Sequence, residues 1–131
     1  MVASVSDEEL IRQATAVIRP HKGNGDFMSG DVGAALVSDS GRIFTGVCID
    51  TSSGMGFCAE HSAIAAMVTA GEYRFRKIVA VWGEGKIIPP CGRCREFMRQ
   101  IDENNLDAEV IISREKTVLL RELLPYHDWL D

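Results

Sequence analysis

The sequence lacks a long hydrophobic run: no apolar stretch in its 131 residues approaches the ~20 residues that a membrane-spanning helix needs. It also lacks a basic N-terminal region followed by an apolar stretch, so no secretory signal peptide is visible. Basic residues are not in excess either, since 14 Lys and Arg face 19 Asp and Glu and give a formal net charge of −5. Because phosphate backbones require clustered cations, this balance disfavours a nucleic-acid partner. These absences predict a cytoplasmic protein with no membrane and no nucleic-acid partner.

Internal repeats, linkers and low-complexity segments are absent as well. The length suffices for one domain with its own core and is too short for two. Hydrophobic residues make up 46% and charged residues 25%, the balance of an ordinary globular protein. We therefore expect a single domain that spans residues 1–131.

Hydrophobic periodicity predicts three helices and five strands. Apolar residues recur at helical spacing over residues 7–19, where Ser6 is the expected N-cap and Pro20 the stop, and further helices are expected over 58–70 and 91–104. Strands are predicted over 32–37, 42–47, 77–82, 108–112 and 117–119, with Trp82 in the core and with polar, glycine-rich loops over 21–31 and 83–90. Strands that alternate with helices after an initial hairpin indicate an α/β sandwich around one mixed sheet.

The chain has only four cysteines, Cys48, Cys58, Cys91 and Cys94. In a reducing compartment such residues indicate metal binding or catalysis rather than disulfides, although two disulfides remain an alternative. Cys91 and Cys94 are three residues apart at a predicted helix start, so their sulfurs share one face, and Cys58 begins the other helix. Helix N-termini also lower thiol pKa values and favour the thiolates that a metal binds. The spacing predicts a metal held by these three sulfurs.

A three-sulfur site leaves one tetrahedral position for water, as catalytic zinc sites do. Glu60 lies two residues after Cys58, close enough to move protons without binding the metal. An activated water and a carboxyl proton shuttle are what hydrolytic deamination of a cytosine ring requires. Two alternatives need no enzyme: a closed structural site made by all four cysteines, and a Glu60 that only complements the helix dipole.

The segments Cys58-Ala59-Glu60 and Pro90-Cys91-Gly92-Arg93-Cys94 follow the zinc base-deaminase pattern in its three-cysteine form. Together with residues 32–36, 41–47 and 121–125, they resemble the cytidine deaminase family and its relative blasticidin S deaminase. The resemblance implies a three-layer αβα sandwich with a mixed five-stranded sheet. It also implies one Zn²⁺ per chain on the three cysteines, Glu60 as proton shuttle, and a homotetramer with active sites near the subunit boundaries.

Departures from the family pattern fall on the sugar-binding positions. The family's ribose-binding Asn and Glu align with Cys48 and Asp50. Asp50 can still accept a hydroxyl hydrogen bond, whereas Cys48 is a poor substitute for an amide. Cys48 is more simply a small buried residue. The family's base-flanking aromatic aligns with Gly30, so Phe27 is the candidate from a shifted position. Catalysis is expected to be intact and sugar recognition to be altered.

Further candidate residues surround these. The family's Arg after Cys-Ala-Glu is replaced here by His61, so Arg93 or Arg95 is expected to temper the charge of the thiolates. His61 itself is either a satisfied, partly buried histidine or a thiolate partner. Tyr126 and Trp129 either pack the C-terminal tail or cover a pocket.

Three functions stay open at this stage. The first is deamination of a small nucleoside, cytidine or deoxycytidine, to uridine or deoxyuridine plus ammonia. The second is deamination of a cytosine nucleoside antibiotic such as blasticidin S, which the altered sugar positions favour. The third is a protein of the same fold that binds zinc and a ligand without turnover.

Overall fold

One mixed β-sheet forms the centre of the structure, a computed structural model that describes residues 4–128. The elements in chain order are α1 (Asp7–Ala16), β1 (His21–Lys22), β2 (Met28–Ser38), β3 (Ile43–Asp50), α2 (Ala59–Thr69), β4 (Phe75–Trp82), β5 (Lys86–Ile88), α3 (Gly92–Ile101), β6 (Glu109–Ser113) and β7 (Lys116–Leu119). Short 3₁₀ segments lie at Glu103–Asp107 and Leu120–Leu123. The five predicted strands and three predicted helices are all present, with shifted ends.

The strand order places the ends of several strands together. β2 pairs antiparallel with β3 and β4, β4 runs parallel to β6, and β6 pairs antiparallel with β7. Val32 lies opposite Trp82, and Gly33 lies opposite Val47. The beginning of β2 and the ends of β3 and β4 therefore meet at one end of the sheet, where the chain leaves towards α2 and α3.

Helices cover both faces of the sheet. α1 packs on one face, where its buried residues join those of β2, β4, β5 and β6 in a cluster of Leu10, Ile11, Ala14, Ala35, Val37, Val79, Val81, Ile87 and Ile111. α2 and α3 pack on the other face around Leu36, Ile64, Met67, Ile78 and Met98. The predicted α/β sandwich of three layers around a mixed sheet is confirmed.

Within residues 4–128 the sheet has seven strands rather than five. β1 pairs with the early part of β2 and β5 pairs with the end of β4, both as antiparallel hairpins inside segments predicted to be loops. Gly83 and Gly85 have positive φ angles and turn the chain between β4 and β5. The sequence did not predict these two short strands because neither has an apolar pattern of its own. Each is a strand only through its backbone hydrogen bonds to a neighbouring strand.

The helix ends are set by local hydrogen bonds. The Ser6 hydroxyl accepts a hydrogen bond from the Glu9 backbone N–H at 3.1 Å, which confirms the predicted cap of α1. α1 ends at Ala16, three residues earlier than predicted, because the Arg19 N–H donates to the Gly30 carbonyl at 3.0 Å instead of continuing the helix. Among the described residues, no helix is long and apolar enough to cross a membrane.

Candidate metal centre and pocket

Three cysteine sulfurs meet where α2 and α3 begin. Cys58 is the N-cap residue of α2, Cys91 is the N-cap residue of α3, and Cys94 lies in the first turn of α3. The Cys58 and Cys91 sulfurs are 3.5 Å apart, the Cys91 and Cys94 sulfurs are 3.3 Å apart, and all three lie within 4.8 Å of one another. Sulfurs on one tetrahedral Zn²⁺ at about 2.3 Å would be about 3.8 Å apart, so the cluster fits this ion with little adjustment.

The acidities of the three thiols also fit a cation site. Burial raises the pKa of Cys58 to about 11, and burial together with the Glu60 charge raises the pKa of Cys94. Partial burial also opposes ionisation of Cys91, but the Cys94 backbone N–H and the neighbouring thiols donate to its sulfur and lower its pKa. Of the three thiols, only Cys91 therefore has the lowered pKa that is expected at a helix N-terminus. Repulsion between the negative charges disfavours three thiolates so close together unless a cation is bound. Binding of the cation would therefore release the thiol protons.

The loop before α2 is fixed on both sides of Cys58. α2 packs so closely on β3 that a Cβ at Gly46 would lie 2.4 Å from the Ser62 Cβ, and the Ser62 hydroxyl donates to the Val47 carbonyl at 2.7 Å. Phe57 exchanges two backbone hydrogen bonds with Ile49, of 2.8 and 3.0 Å. The position of the first sulfur thus depends on a glycine in the facing strand.

Cys48 lies outside the sulfur cluster that the described residues form. It is buried at the end of β3, where its sulfur accepts a hydrogen bond from the Val32 N–H at 3.4 Å and lies 3.7 Å from the Asp50 carboxylate, to which the thiol donates. The four-cysteine closed site therefore does not form. The three-sulfur arrangement with an open side is the one that the fold produces.

A cavity of about 490 Å³ opens beside the sulfurs. Cys58, Cys91 and Glu60 line it, and Cys48, Asp50 and Arg93 also contribute to its wall. Glu60 is only 4% exposed, and its burial raises the pKa of its carboxyl group. The structure thus places Glu60 beside the sulfur cluster, as the spacing predicted, and shows in addition that its carboxyl group is buried in a cavity.

Trp82 and Phe57, but not Phe27, are the aromatic residues in the lining of this cavity. Phe27 lies outside the described lining, and its ring is tilted against His21 with centroids 5.7 Å apart. Trp82 was expected in the core, but it is 51% exposed and forms part of the cavity wall at the end of β4. The expectation for Trp82 was wrong because strand periodicity does not show where a strand leaves the cover of the helices. The position of Trp82 at the end of a strand, shortly before the zinc-ligand segment at Cys91, was the sequence feature that could have indicated its place at the cavity.

The basic residues around the sulfurs have different partners. The Nδ1 atom of His61 lies 3.4 Å from the Cys94 sulfur, and the His61 ring stacks on Phe97 at 4.3 Å between centroids. Burial, with the Arg93 charge, lowers the pKa of His61. Arg93 donates to the Gly56 carbonyl at 3.0 Å and thereby ties α3 to the loop before Cys58. Of the two interpretations of His61, a satisfied, partly buried histidine or a partner of a thiolate, this contact with Cys94 supports the second.

Arg95 donates hydrogen bonds to backbone carbonyls in the segment before α3 and in the C-terminal segment. It donates to the Pro90 carbonyl at 2.8 Å and to the Leu123 carbonyl at 3.2 Å, so these bonds fix the loop before Cys91 and the C-terminal segment. Tyr126 is fully exposed and lies outside the described cavity lining. Trp129 lies outside the described residues. Tyr126 therefore does not cover the pocket of its own chain.

Comparisons with known proteins agree with this geometry. The profile for the cytidine and deoxycytidylate deaminase zinc-binding region matches residues 4–108. Cytidine deaminase from Mycobacterium tuberculosis is 38% identical over 68 residues, which cover 51% of this chain and 51% of that protein. The chain thus spans about half the length of the curated relatives it matches.

Solved structures match over nearly the whole chain. The crystal structure of the M. tuberculosis cytidine deaminase has a TM-score of 0.79 at 28% identity and covers 94% of this chain and 97% of its own. That of the Mycobacterium leprae enzyme has a TM-score of 0.78 at 28% identity and covers 93% and 99%. The fold implied by the resemblance is confirmed, and the cluster of Cys58, Cys91 and Cys94 is a zinc site. With its zinc-binding region and its fold both matched, the chain belongs to the cytidine and deoxycytidylate deaminase family.

Proposed function

We propose that the protein is a zinc-dependent aminohydrolase that converts cytidine or deoxycytidine to uridine or deoxyuridine and ammonia. One observation carries this proposal: the Glu60 carboxyl group is buried in the cavity onto which the three-sulfur cluster opens. The relatives named cytidine deaminase support the same activity. A structural zinc site would require neither the open side nor the buried carboxyl group.

The residues of the chain divide the reaction between them. Zn²⁺ on Cys58, Cys91 and Cys94 supplies Lewis acidity that makes a water molecule reactive near neutral pH. Glu60 accepts the proton that this water loses on attacking C4 of the cytosine ring and delivers it to the ring nitrogen N3. It then takes the proton of the hydroxyl group now on C4 and transfers it to the exocyclic amine, so the C4–N bond breaks, ammonia leaves and a carbonyl group remains.

The proposed substrate is a free nucleoside. The cavity of about 490 Å³ lies within the range of roughly 300–1,000 Å³ that small-molecule sites occupy. The net charge of −5 disfavours polynucleotides, whose phosphates would be repelled. We also propose that the protein acts in a reducing cytoplasm, because the three cysteine ligands stay free of disulfide bonds there.

The experiment is a turnover assay on the zinc-loaded protein with cytidine and with deoxycytidine. We expect loss of the cytosine absorbance together with release of one ammonia per nucleoside. A protein that retains zinc and binds the nucleoside but releases no ammonia would be the non-catalytic member of the fold, and the proposal would fail.

A cytosine nucleoside antibiotic such as blasticidin S is the second candidate substrate. It is favoured by Cys48, whose thiol occupies the position of an amide in the family's sugar site and donates to Asp50 within the chain. A thiol is a weak hydrogen-bond donor, so ribose is held less well there. A higher kcat/KM for blasticidin S than for cytidine would favour this candidate.

Asp50 is proposed to hold a substrate hydroxyl group at the cavity wall. Asp50→Ala is expected to raise KM about tenfold for nucleosides with free sugar hydroxyls, because a hydrogen bond to a charged group is lost. Zinc content should stay unchanged, since Asp50 lies outside the sulfur cluster. Asp50→Asn retains an acceptor and serves as the conservative control. An unchanged KM for cytidine and deoxycytidine would place the sugar elsewhere.

The active unit is proposed to be a homotetramer. α2 starts directly after the zinc ligand Cys58, and small residues lie on its outward side, with Ala65 exposed and Ala66 partly exposed. Such a face permits close helix packing and would bring neighbouring chains next to the pocket. Tyr126 extends from its own chain and is proposed to reach a neighbouring pocket.

Sedimentation at micromolar concentration is expected to give four times the mass of one chain. Ala65→Arg should reduce the mass and the activity together, whereas Gln100→Arg, at an exposed position of α3, should change neither. A fully active monomer would contradict the tetramer.

A further inference from the structure

Trp82 is the last residue of β4 and differs from the residues before it on the same strand face. Ile78 and Ala80 are 1% and 2% exposed, whereas Trp82 is 51% exposed. Trp82 lies directly opposite Val32 of β2, which packs against the cluster beneath α2 and α3. Because directly paired residues share a face of a sheet, the indole lies on the side where the zinc ligands lie, in the cavity wall.

The distance along β4 relates Trp82 to the reacting centre. Ala80 and Ile88 border the same small interior space as Glu60. Trp82 follows Ala80 by two residues, which is about 6.6 Å along a strand. When the amine-bearing carbon of cytosine lies at Glu60, its glycosidic nitrogen lies across the ring, towards the mouth of the cavity. The indole therefore borders the sugar side of the nucleoside rather than the site of bond cleavage.

Phe57 also lines the cavity, whereas residue 30 and Cys48 add little binding surface for a sugar. Gly30 has a φ of +86°, and a Cβ at this position would lie 1.9 Å from the Arg19 carbonyl oxygen, so β2 cannot present an aromatic side chain from residue 30. Of the two polar residues at the end of β3, the Cys48 thiol donates to Asp50. The Trp82 indole is an exposed apolar surface at this end of the sheet, in a cavity wall that also holds Asp31 and Asp50.

We propose that Trp82 is a specificity-determining residue whose indole packs against the sugar of the cytosine nucleoside and supplies apolar contact beside the hydrogen bond to Asp50. This inference rests on the proposed function, since it takes its orientation from Glu60 as the reacting end of the pocket. It predicts that the sugar, and not only the base, is covered by an aromatic face on binding.

The first test uses tryptophan fluorescence. The sequence has two tryptophans, Trp82 and Trp129, so Trp129→Phe leaves Trp82 as the single reporter. In zinc-loaded protein that also carries Glu60→Gln, titration with cytidine is expected to change the intensity and wavelength of the Trp82 emission to saturation. Emission that is unchanged by cytidine, or that varies with protein concentration instead, would overturn the inference and place Trp82 in a subunit contact.

The second test is kinetic. Trp82→Ala is expected to raise KM for cytidine about tenfold, equivalent to about 1.4 kcal/mol, with kcat changed less than about threefold. Trp82→Phe should recover most of the loss. Tyr73→Ala is the matched control, because Tyr73 is equally exposed at 52% but lies away from the cavity lining.

The same variants separate this inference from the proposed function. A normal KM in Trp82→Ala, in a protein that does deaminate cytidine, would overturn the role of Trp82 alone. A protein that never releases ammonia but whose Trp82 emission saturates with cytidine would refute the proposed function and retain the contact. To locate the contact, 1-methylcytosine is compared with cytidine as a competitor: an equal loss of affinity for both in Trp82→Ala would overturn the assignment to the sugar.

Discussion

Glu60→Gln protein is expected to keep its fold and its zinc while kcat for cytidine falls about a thousandfold or more, because in the proposed reaction both proton transfers pass through this carboxylate. The amide is nearly the same size as the carboxyl group and fits the same buried position. Removing a charge from a buried site should not unfold the protein, so the loss is expected in turnover alone.

The measurement combines single-turnover kinetics with metal analysis of the same samples. Glu84→Gln makes the same chemical change at an exposed turn between β4 and β5 and should leave kcat unaltered. Binding of cytidine should persist in Glu60→Gln. Near-normal turnover in this variant would remove Glu60 from the mechanism and leave its burial without a catalytic explanation.

Cys91→Ala is expected to lose most of the bound zinc and, with it, all measurable deamination. Two sulfurs remain, and the Cys58 thiol, whose pKa is raised by burial, loses the neighbour with which it would share the ion. Because metal binding and folding are coupled, the melting temperature should fall as well. Metal analysis on the wild-type protein should give about one zinc per chain.

Cys91 is also the N-cap residue of α3, and losing a cap costs about 0.5–2 kcal/mol by itself. Comparison with chelated wild-type protein separates the two effects, since only the additional loss in Cys91→Ala belongs to the cap. Cys48→Ser is the matched control and should keep about one zinc, because Cys48 donates to Asp50 rather than joining the cluster. Loss of zinc from Cys48→Ser would restore the four-cysteine site.

Much of the zinc site could be predicted from local spacing. Cys91 and Cys94 share a helical turn whatever the rest of the fold does, and a residue two positions after Cys58 is necessarily close to that ligand. The main strands and the helices could also be predicted from the sequence, because each has a regular apolar face that is buried in the core. Local chemistry and periodicity determine these features together.

Other features depend on contacts between segments far apart in the chain. β1 and β5 exist because β2 and β4 offer unpaired backbone groups to them, so their own residues carry no strand pattern. The pairing of Val32 with Trp82 places an indole in the cavity wall, although periodicity alone assigned it to the core.

The sequence by itself determined which residues can hold zinc and move a proton, since both depend on side-chain type and on spacing within one helical turn. Only the tertiary structure decided that Cys48 stays out of the cluster and that Trp82 faces the cavity while Phe27 does not. The physical reason is that these placements follow from strand register and from the close packing of α2 on Gly46, which are long-range contacts that no local pattern encodes.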